Sequence, residues 1–272
     1  MKKTCKIGIA GLGLIGGSIL KALSKSDFEV FVVSHSKATL DKAKKYTKNV
    51  SLNLDILKSC DLVFVCTPMN KTIEILDNLE SILSPKTIVA DVSSLKGFVC
   101  GKNRPYNFIA THPMAGTEFK GFDNSFEDLF VRAKWVLTPL EDTSAEDVNK
   151  LTDLIHLMGA TPVFSTPKEH DEAVALISHM PMLMAQAIFK TAQNNDLALS
   201  LAASGFRDMT RLALSNEEMA EDMMNLNSEN IQTSILKLYA SVGELLGENY
   251  KAQIVEIKKC RQEMYLDGKN IL

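Results

Sequence analysis

The first half of the chain alternates between two kinds of hydrophobic pattern. Six short, nearly continuous apolar runs are typical of strands buried on both faces of a sheet. These runs are KIGIAG, EVFVVSHS, DLVFVCTP, TIVADVSS, NFIATHP and KWVLTPL. Between them lie segments with helical spacing, such as the one that contains Ile73, Leu76, Leu79 and Leu83. Strands separated by helices of about 10–15 residues predict parallel β-α-β units with right-handed crossovers.

The pattern changes near residue 165, after which the chain predicts helices and no strand. The segment EHDEAVALISHMPMLMAQAIFKTAQ predicts a long helix interrupted at Pro181. We therefore expect an α/β domain over residues 1–165 and an all-α domain over residues 166–272. The helices have broad apolar faces, which a domain of about 105 residues has too small a core to bury alone. A second copy of the chain, packed as a two-fold homodimer, would cover them.

Composition and charge exclude several classes of protein. The chain has 272 residues, of which 46% are hydrophobic and 23% charged, the mixture of a soluble globular protein. Its net charge is −3, without the clustered basic surplus of nucleic-acid-binding proteins, so we expect no nucleic acid as partner. Apart from the apolar N-terminal run, no stretch of about 18 apolar residues occurs, and we expect no membrane-spanning helix.

The cysteines and histidines predict no metal site. The five cysteines are an odd number and show no C-x-x-C spacing, which argues against a disulfide framework or a zinc site. Reduced thiols in the cytoplasm are the simplest interpretation. The five histidines lack metal-ligand spacing. Two of them, His156 and His170, lie in no recognisable catalytic or metal-binding motif and are expected to be structural or surface residues.

A glycine-rich segment follows the first predicted strand and opens the first helix. It contains Gly11-x-Gly13-x-x-Gly16, in the strand-turn-helix context that a dinucleotide-binding loop requires. Glycines let the backbone approach a pyrophosphate, and the helix start offers free N–H groups and the positive end of its dipole. We therefore predict a Rossmann-like, doubly wound α/β domain that binds a dinucleotide. The expected binding residues at the strand ends are Gly11, Gly13, Leu14, Ile15, Gly16, Thr67 and Pro68.

The residue that binds the cofactor's ribose should lie at the end of the second strand, about 20 residues after the glycine loop. An acidic residue there would bind the 2′-hydroxyl and select NAD, but the chain has Ser34. Ser34, Ser36 and Lys37 could instead bind a 2′-phosphate, which favours NADP or use of both cofactors. Alternatively, these residues are solvated and the ribose is held elsewhere.

Four motifs occur in order along the chain: GLGLIGGS, DVSSLK, HPMAGTE and SGFRDMTRLA. With them the sequence resembles the prephenate dehydrogenase family of tyrosine biosynthesis over nearly its whole length. The resemblance implies oxidation of prephenate with NAD(P)+, NAD being the family's usual cofactor. Hydride would leave the ring carbon that bears the 4-hydroxyl, and the ring carboxylate would depart as CO2. The product would be 4-hydroxyphenylpyruvate.

The resemblance makes His112 the catalytic histidine, which draws the proton from the 4-hydroxyl as hydride leaves. A neutral imidazole can accept such a proton near neutral pH. Ser94 matches the family serine that contacts this histidine and the 4-hydroxyl. The alternatives are a histidine satisfied within a turn and a serine that caps a helix, and Ser93 and Ser94 could divide the two serine roles.

A substrate with two carboxylates should be bound by positively charged side chains. The planar guanidinium group of arginine can donate two parallel hydrogen bonds to one carboxylate. Arg207 and Arg211 are four residues apart, which places them on one helix face. The resemblance implies that Arg211 binds a substrate carboxylate. Arg207, which stands where relatives often have lysine, is expected to bind the substrate as well, and Asp208 is expected to support the site. The alternative is a solvated helix face.

The resemblance adds three further substrate-binding residues. Thr117 and Glu118 are expected to line or gate the pocket, and His179 matches a histidine of the family's long helix. His179 could equally be a satisfied core histidine. Met182 stands where relatives often have a second histidine, which puts one polar contact to the substrate side chain in doubt.

Three other functions are compatible with parts of the sequence. Arogenate dehydrogenase, which yields tyrosine directly, needs nearly the same residues. A reductase of another β- or imino acid pairs the same kinds of domain but commonly uses a catalytic lysine and would not need HPMAGTE. A non-enzymatic protein that senses dinucleotides would need neither His112 nor Arg211, and the fold alone does not exclude it.

Overall fold

The computed structural model describes residues 5–117 and 119–266. These residues form two compact units, which divide between Pro167 and Lys168. The described part of the first unit contains a sheet of eight strands. They are β1 (Lys6–Ala10), β2 (Glu29–Val33), β3 (Asn49–Ser51), β4 (Leu62–Val65), β5 (Ile88–Asp91), β6 (Asn107–Pro113), β7 (Lys134–Thr138) and β8 (Thr161–Phe164).

The strand order is β3-β2-β1-β4-β5-β6-β7-β8. From β3 to β6 all neighbours are parallel, as predicted. The expectation of parallel strands is wrong for β7, which runs antiparallel to β6, while β8 runs parallel to β7. Among the described residues between β6 and β7, the one regular element is a short 3-10 turn, Phe122–Asn124. Without a crossover helix, the chain can return along the neighbouring strand in the opposite direction.

Two strands, β3 and β8, were not predicted from the sequence. Both lie at edges of the sheet, and they have only three and four residues. β3 is partly polar, and β8 contains Pro162 and is largely exposed. Proline is tolerated at a sheet edge because one side of the strand needs no ladder hydrogen bond. Neither strand therefore shows the apolar run that reveals the central strands.

Helices cover both faces of the sheet. In the first unit they are α1 (Leu14–Leu23), α2 (Lys37–Ala43), α3 (Met69–Leu79) and α4 (Ala145–Leu157). Successive residues of β4 point to opposite faces: Val63 belongs to one buried apolar cluster with Leu76 and Val89, and Phe64 to another with Trp135. Burial on both faces explains the continuous apolar runs. The prediction of a Rossmann-like, doubly wound domain followed by an all-α domain is confirmed.

All regular elements in the described residues of the second unit are helices or helical turns. Its helices are α5 (Pro167–Val174), α6 (Met180–Ala192), α7 (Asp196–Ser200), α8 (Ser204–Thr210), α9 (Glu217–Leu226), α10 (Ser228–Leu245) and α11 (Tyr250–Leu266). A π-helical turn, Ala175–His179, joins α5 to α6, so the segment expected to break at Pro181 is one continuous helix. The wide turn accommodates the missing N–H of Pro181 at the start of α6.

The continuous helix Pro167–Ala192 is long and apolar enough to cross a membrane by length and composition, which the sequence pattern did not predict. Core helices of soluble proteins meet the same criterion. Within the second unit, α6 packs against α8, α10 and the 3-10 turn Arg211–Leu214. Its first part contains the buried polar residues His170, Asp171 and His179. Such residues are costly in lipid, and the packing within the unit favours a core helix.

Candidate functional site

The carboxyl ends of β1, β4, β5 and β6 lie at one edge of the sheet, because these strands run in the same direction. The glycine loop follows β1, Thr67 and Pro68 follow β4, and Ser94 follows β5. His112 is the penultimate residue of β6. Open α/β sheets bind their ligands at this edge. The fold thus brings the predicted cofactor-binding and catalytic residues of the first unit to the same side.

Two glycines of the loop are required by its backbone. Gly11 has a φ of +104°, which L side chains rarely adopt, and a Cβ there would lie 2.6 Å from the carbonyl oxygen of Cys66. A Cβ on Gly16 would overlap the carbonyl oxygen of Gly11. The loop after β1 therefore packs directly against the chain that leaves β4.

The middle glycine leaves room for a ligand. Apart from the adjoining residues of the loop and helix, no described atom lies within 4 Å of the position of a Cβ on Gly13. Gly13 is the N-cap of α1, and no side chain caps that helix end within the described structure. The N–H groups of Leu14 and Ile15 lie in the first turn, where an α-helix has no internal acceptors for them. The loop therefore fits the pyrophosphate of a dinucleotide.

The end of β2 offers hydroxyls and a lysine in place of a carboxylate. Ser34 is buried, and its Oγ accepts the N–H of Ser36 at 3.2 Å. The Ser36 Oγ caps α2 by accepting the N–H of Thr39 at 3.2 Å. Both hydroxyls keep their own proton to donate. Lys37, the exposed first residue of α2, adds a positive charge beside a helix N-terminus, a setting that suits a phosphate.

A buried ion pair links the ends of β5 and β6. Lys96 has no exposed surface, and its ammonium group donates to the Asp91 carboxylate and to the carbonyl oxygen of Thr111. The same carboxylate accepts the N–H groups of Ser93 and Thr111, each at 2.9 Å. The indole Nε1 of Trp135 donates to the Thr111 hydroxyl at 3.0 Å. The residues that precede Ser94 and His112 are therefore held by one network, which sequence reasoning missed although DVSSLK contains both charges.

The two serines after β5 have different surroundings. Ser93 is buried, and its Oγ lies 3.2 Å from the Oγ1 of Thr72. Ser94 is half-buried, and the described residues give its hydroxyl no hydrogen-bond partner. No α-helix lies between β5 and β6 in the described residues, so neither serine caps one. Ser94 is therefore the serine whose hydroxyl is available to a ligand.

His112 lies in a strand and not in a turn. It is half-buried on β6, and its Cα is paired with that of Val136 on β7.

The loop after β6 contains Thr117, whose exposed hydroxyl accepts the N–H of Phe119 at 3.2 Å. Thr117 lines a cleft of about 330 Å³ together with Phe126 and Arg132. Glu118 lies outside the described residues.

The two arginines belong to the second unit and are exposed. Arg207 lies on α8 with its Nε 3.4 Å from the carboxylate of Asp208, and both side chains face solvent. α8 ends at Thr210, and Arg211 begins the following 3-10 turn with helical backbone angles. The described structure gives the Arg211 side chain no ion-pair partner, which leaves its guanidinium available for an anion.

The second unit also contains a buried polar cluster. His179 is 1% exposed, and its Nδ1 lies 3.1 Å from the Nδ2 of Asn227. Burial lowers the pKa of His179 to about 4; the Asp171 carboxylate acts in the opposite direction, and His170 adds to the decrease. The His170 Nδ1 lies 2.7 Å from the Asp171 carboxylate, so His170 is a buried structural residue, one of the two alternatives expected from the sequence. Met182 is buried nearby in sequence, on α6.

The described residues contain no group of three or more His, Cys, Asp or Glu side chains arranged to hold a metal ion. None of the five cysteines forms a disulfide in residues 5–117 and 119–266. Burial raises the pKa of the Cys60 thiol to about 12, which keeps it protonated at neutral pH.

Comparison with known families matches both units. Residues 19–164 match the domain described as "Prephenate dehydrogenase, nucleotide-binding domain", and residues 166–257 match "Prephenate dehydrogenase, dimerization domain". The chain belongs to the prephenate dehydrogenase family. Because the first match begins at residue 19, the assignment of the glycine loop rests on its geometry.

Individual relatives agree with the family. The chain is 32% identical over 253 residues to a prephenate dehydrogenase of Bacillus subtilis, covering 85% of this chain but 66% of that protein. It is 33% identical to the crystal structure of Synechocystis arogenate dehydrogenase, with a TM-score of 0.81 and coverage of 96% and 98%. It is 26% identical to A. aeolicus prephenate dehydrogenase in complex with hydroxyphenyl propionate and NAD+, with a TM-score of 0.83 and coverage of 97% and 98%.

Membership of this family decides several expectations. Prephenate dehydrogenases are NAD(P)-dependent oxidoreductases, so the prediction of an enzyme that uses a nicotinamide dinucleotide is confirmed. The non-enzymatic sensor and the β- or imino-acid reductase are therefore set aside. The helical unit belongs to a domain type described as a dimerization domain.

Proposed function

We propose that this enzyme oxidises prephenate to 4-hydroxyphenylpyruvate, with hydride transfer to a nicotinamide dinucleotide and loss of CO2. The observation that most supports the proposal is the meeting of the glycine loop, Ser94 and His112 at one edge of the sheet. The bound cofactor supplies the hydride acceptor. Decarboxylation follows because the electron pair of the bond to the carboxylate completes an aromatic ring.

In this proposal His112 takes the proton of the 4-hydroxyl as the C–H bond to the hydride breaks, and returns it to the same oxygen when loss of CO2 leaves a phenolate. The Ser94 hydroxyl, half-buried beside the same strand ends, orients that oxygen by a hydrogen bond. The buried pair of Lys96 and Asp91 holds the backbone next to both residues. Thr117 borders the pocket, His179 contributes a polar contact to the substrate, and a substrate-binding role is also proposed for Glu118, which lies outside the described residues.

Arg211 binds a substrate carboxylate in this proposal, so Arg211→Ala is expected to raise KM for prephenate. A hydrogen bond to a charged group contributes about 1.5–3 kcal/mol, which corresponds to an increase of about 10- to 150-fold. Initial rates measured against prephenate concentration would give KM. The matched control is Arg261→Ala, which removes an exposed arginine of α11 that has no proposed role, and a change below about threefold is expected. An unchanged KM in Arg211→Ala would exclude the role.

For the cofactor we propose NADP+ or use of both dinucleotides, because the end of β2 has Ser34, Ser36 and Lys37 where an acid would select NAD. Lys37→Ala is expected to lower kcat/KM for NADP+ about tenfold and leave that for NAD+ nearly unchanged, since only the former has a 2′-phosphate. Lys44→Ala, at the other end of α2, is the control. Equal losses with both cofactors would show that Lys37 does not distinguish them.

We further propose a cytoplasmic homodimer formed through the helical unit. Leu236 and Tyr239 on α10 are 69% and 78% exposed, and Leu246, which follows that helix, is 83% exposed. Large apolar side chains that are this exposed and lie close together in the chain are typical of a protein–protein interface. Sedimentation at micromolar concentration would give the mass of the assembly, and a monomer would contradict the proposal.

A second candidate substrate is arogenate. Met182 occupies the place of a second histidine, and the Synechocystis arogenate dehydrogenase is among the similar structures. The test is NADH or NADPH formation with prephenate and arogenate, each offered with NAD+ and NADP+. Turnover of prephenate supports the proposal, and turnover of arogenate alone retains the mechanism with the other substrate. Silence in all four combinations, with cofactor binding detected separately, would reject both.

A further inference from the structure

Asn227 occupies an unusual position for an asparagine. It is the N-cap residue of α10, where an asparagine side chain commonly accepts a backbone N–H and stabilises the helix by about 1 kcal/mol. Its side chain makes no such bond, and the residue is only 4% exposed. The amide instead faces Asp171 of α5 and His179 of the π turn, two members of the buried polar cluster.

The orientation of this amide is determined by its partners. Nδ2 donates to the backbone carbonyl oxygen of Asp171 at 2.9 Å, and Oδ1 accepts from the Nδ2 of Asn230 at 2.8 Å. A carbonyl oxygen can only accept, so the reversed amide would place two acceptors against each other. The second N–H of Nδ2 is therefore the one that faces the Nδ1 of His179, 3.1 Å away.

This arrangement determines where His179 holds its proton. Because Asn227 presents a donor, Nδ1 of the imidazole must accept, and a neutral ring then has its proton on Nε2. Protonation at Nδ1 would bring two N–H groups together. The titratable groups that act on His179 in the described structure are Asp171 and His170. They are paired with each other at 2.7 Å, so the Asp171 carboxylate is already engaged.

We propose that Asn227 is a positioning residue that fixes the His179 tautomer, so that Nε2–H is a permanent donor to an oxygen acceptor of the substrate. The inference rests on the proposed role of His179 as a substrate-binding residue and adds the chemistry of that contact. An N–H donor suits a keto or carboxylate oxygen and opposes an ammonium group, which has no acceptor. Burial lowers the pKa of His179 to about 4, so the imidazole stays neutral around neutral pH and keeps a single N–H.

The tautomer can be observed directly by long-range 1H–15N spectra of the full-length protein labelled at its histidines. His179→Gln identifies the relevant signals. A protonated Nε2 and an unprotonated Nδ1 are expected, unchanged between about pH 5.5 and 8, where an ordinary imidazole titrates. A protonated Nδ1, or titration in this interval, would overturn the inference whether or not the enzyme accepts prephenate.

Asn227→Asp tests the link to the substrate. The carboxylate would attract a proton to Nδ1 and raise the pKa of His179. At high pH the neutral ring would then present Nε2 as an acceptor, and KM is expected to exceed that of the wild type about tenfold or more. As pH falls through the raised pKa, the imidazolium regains Nε2–H and KM should return towards the wild-type value.

The control is Asn230→Ala, which removes the partner of the Asn227 Oδ1 but retains the donor towards His179. It should leave the tautomer and the pH profile of KM unchanged. The substrate for these assays is whichever of prephenate or arogenate is turned over. A purely structural role for Asn227 would lower the melting temperature of Asn227→Asp but leave the ratio of its KM to that of the wild type independent of pH. That result would overturn the proposal without affecting the proposed function.

Discussion

His112→Asn is expected to lower kcat for prephenate oxidation by about 10²–10⁴-fold, the range that a positioned general base contributes. Asparagine keeps a hydrogen-bonding side chain of similar reach but cannot take a proton at neutral pH. KM should therefore change by much less than kcat. Steady-state rates over a range of prephenate concentrations, at saturating cofactor, would separate the two parameters.

The control for this variant is His156→Asn, which changes an exposed histidine on α4. It should retain full activity. A kcat for His112→Asn within about tenfold of the wild type would remove the histidine from the role of base. The neighbouring Thr111 is held through its N–H, carbonyl and hydroxyl groups. The substitution is therefore expected to leave the strand in place, and unchanged emission from Trp135 would verify it.

Lys96→Met is expected to lower the free energy of unfolding of the first unit by about 3–5 kcal/mol. Removing one partner of a buried ion pair leaves the other charge uncompensated. Asp91 would keep its backbone donors but lose the only cation that the described structure places against it. Methionine matches the length of the lysine stem, so lost packing would contribute little.

Urea unfolding followed by tryptophan fluorescence would measure this effect. The chain has one tryptophan, Trp135, which is fully buried and bonded to Thr111 in the same network. Its emission therefore reports on the first unit. Lys102→Met is the control: its exposed pairs with Asp77 and Glu80 should leave the transition unchanged. A similarly small effect for Lys96→Met would mean that the buried pair does not hold the strand ends.

The sequence predicted those parts of the fold in which local pattern and tertiary environment agree. Central strands buried on both faces appear as apolar runs, and the glycine loop appears as a motif because Gly11 and Gly16 are required by the backbone. β3 and β8 were missed because an edge strand needs no such run. The direction of β7 depends on the length and structure of the connection before it, which hydrophobic periodicity does not reveal.

Site residues were predictable where a motif surrounds them and not where a fold brings them together. His112 and Ser94 lie in motifs, and their exposure to the same sheet edge follows from parallel strands. Asn227 lies 48 residues after His179 and contacts it only through the packing of α10 against the π turn. The pairing of His170 with the adjacent Asp171 was not predicted, because consecutive residues of a helix do not normally face each other.

The π turn from Ala175 to His179 has a consequence for how the length of this chain can vary in evolution. A π turn contains one residue more than an α turn, and each residue of a helix rotates the chain by about 100°. Deleting a single residue there would turn the segment with Asp171 by roughly that angle relative to His179. Selection is therefore expected to act on the number of residues in this turn, and insertions and deletions among homologues should fall outside it.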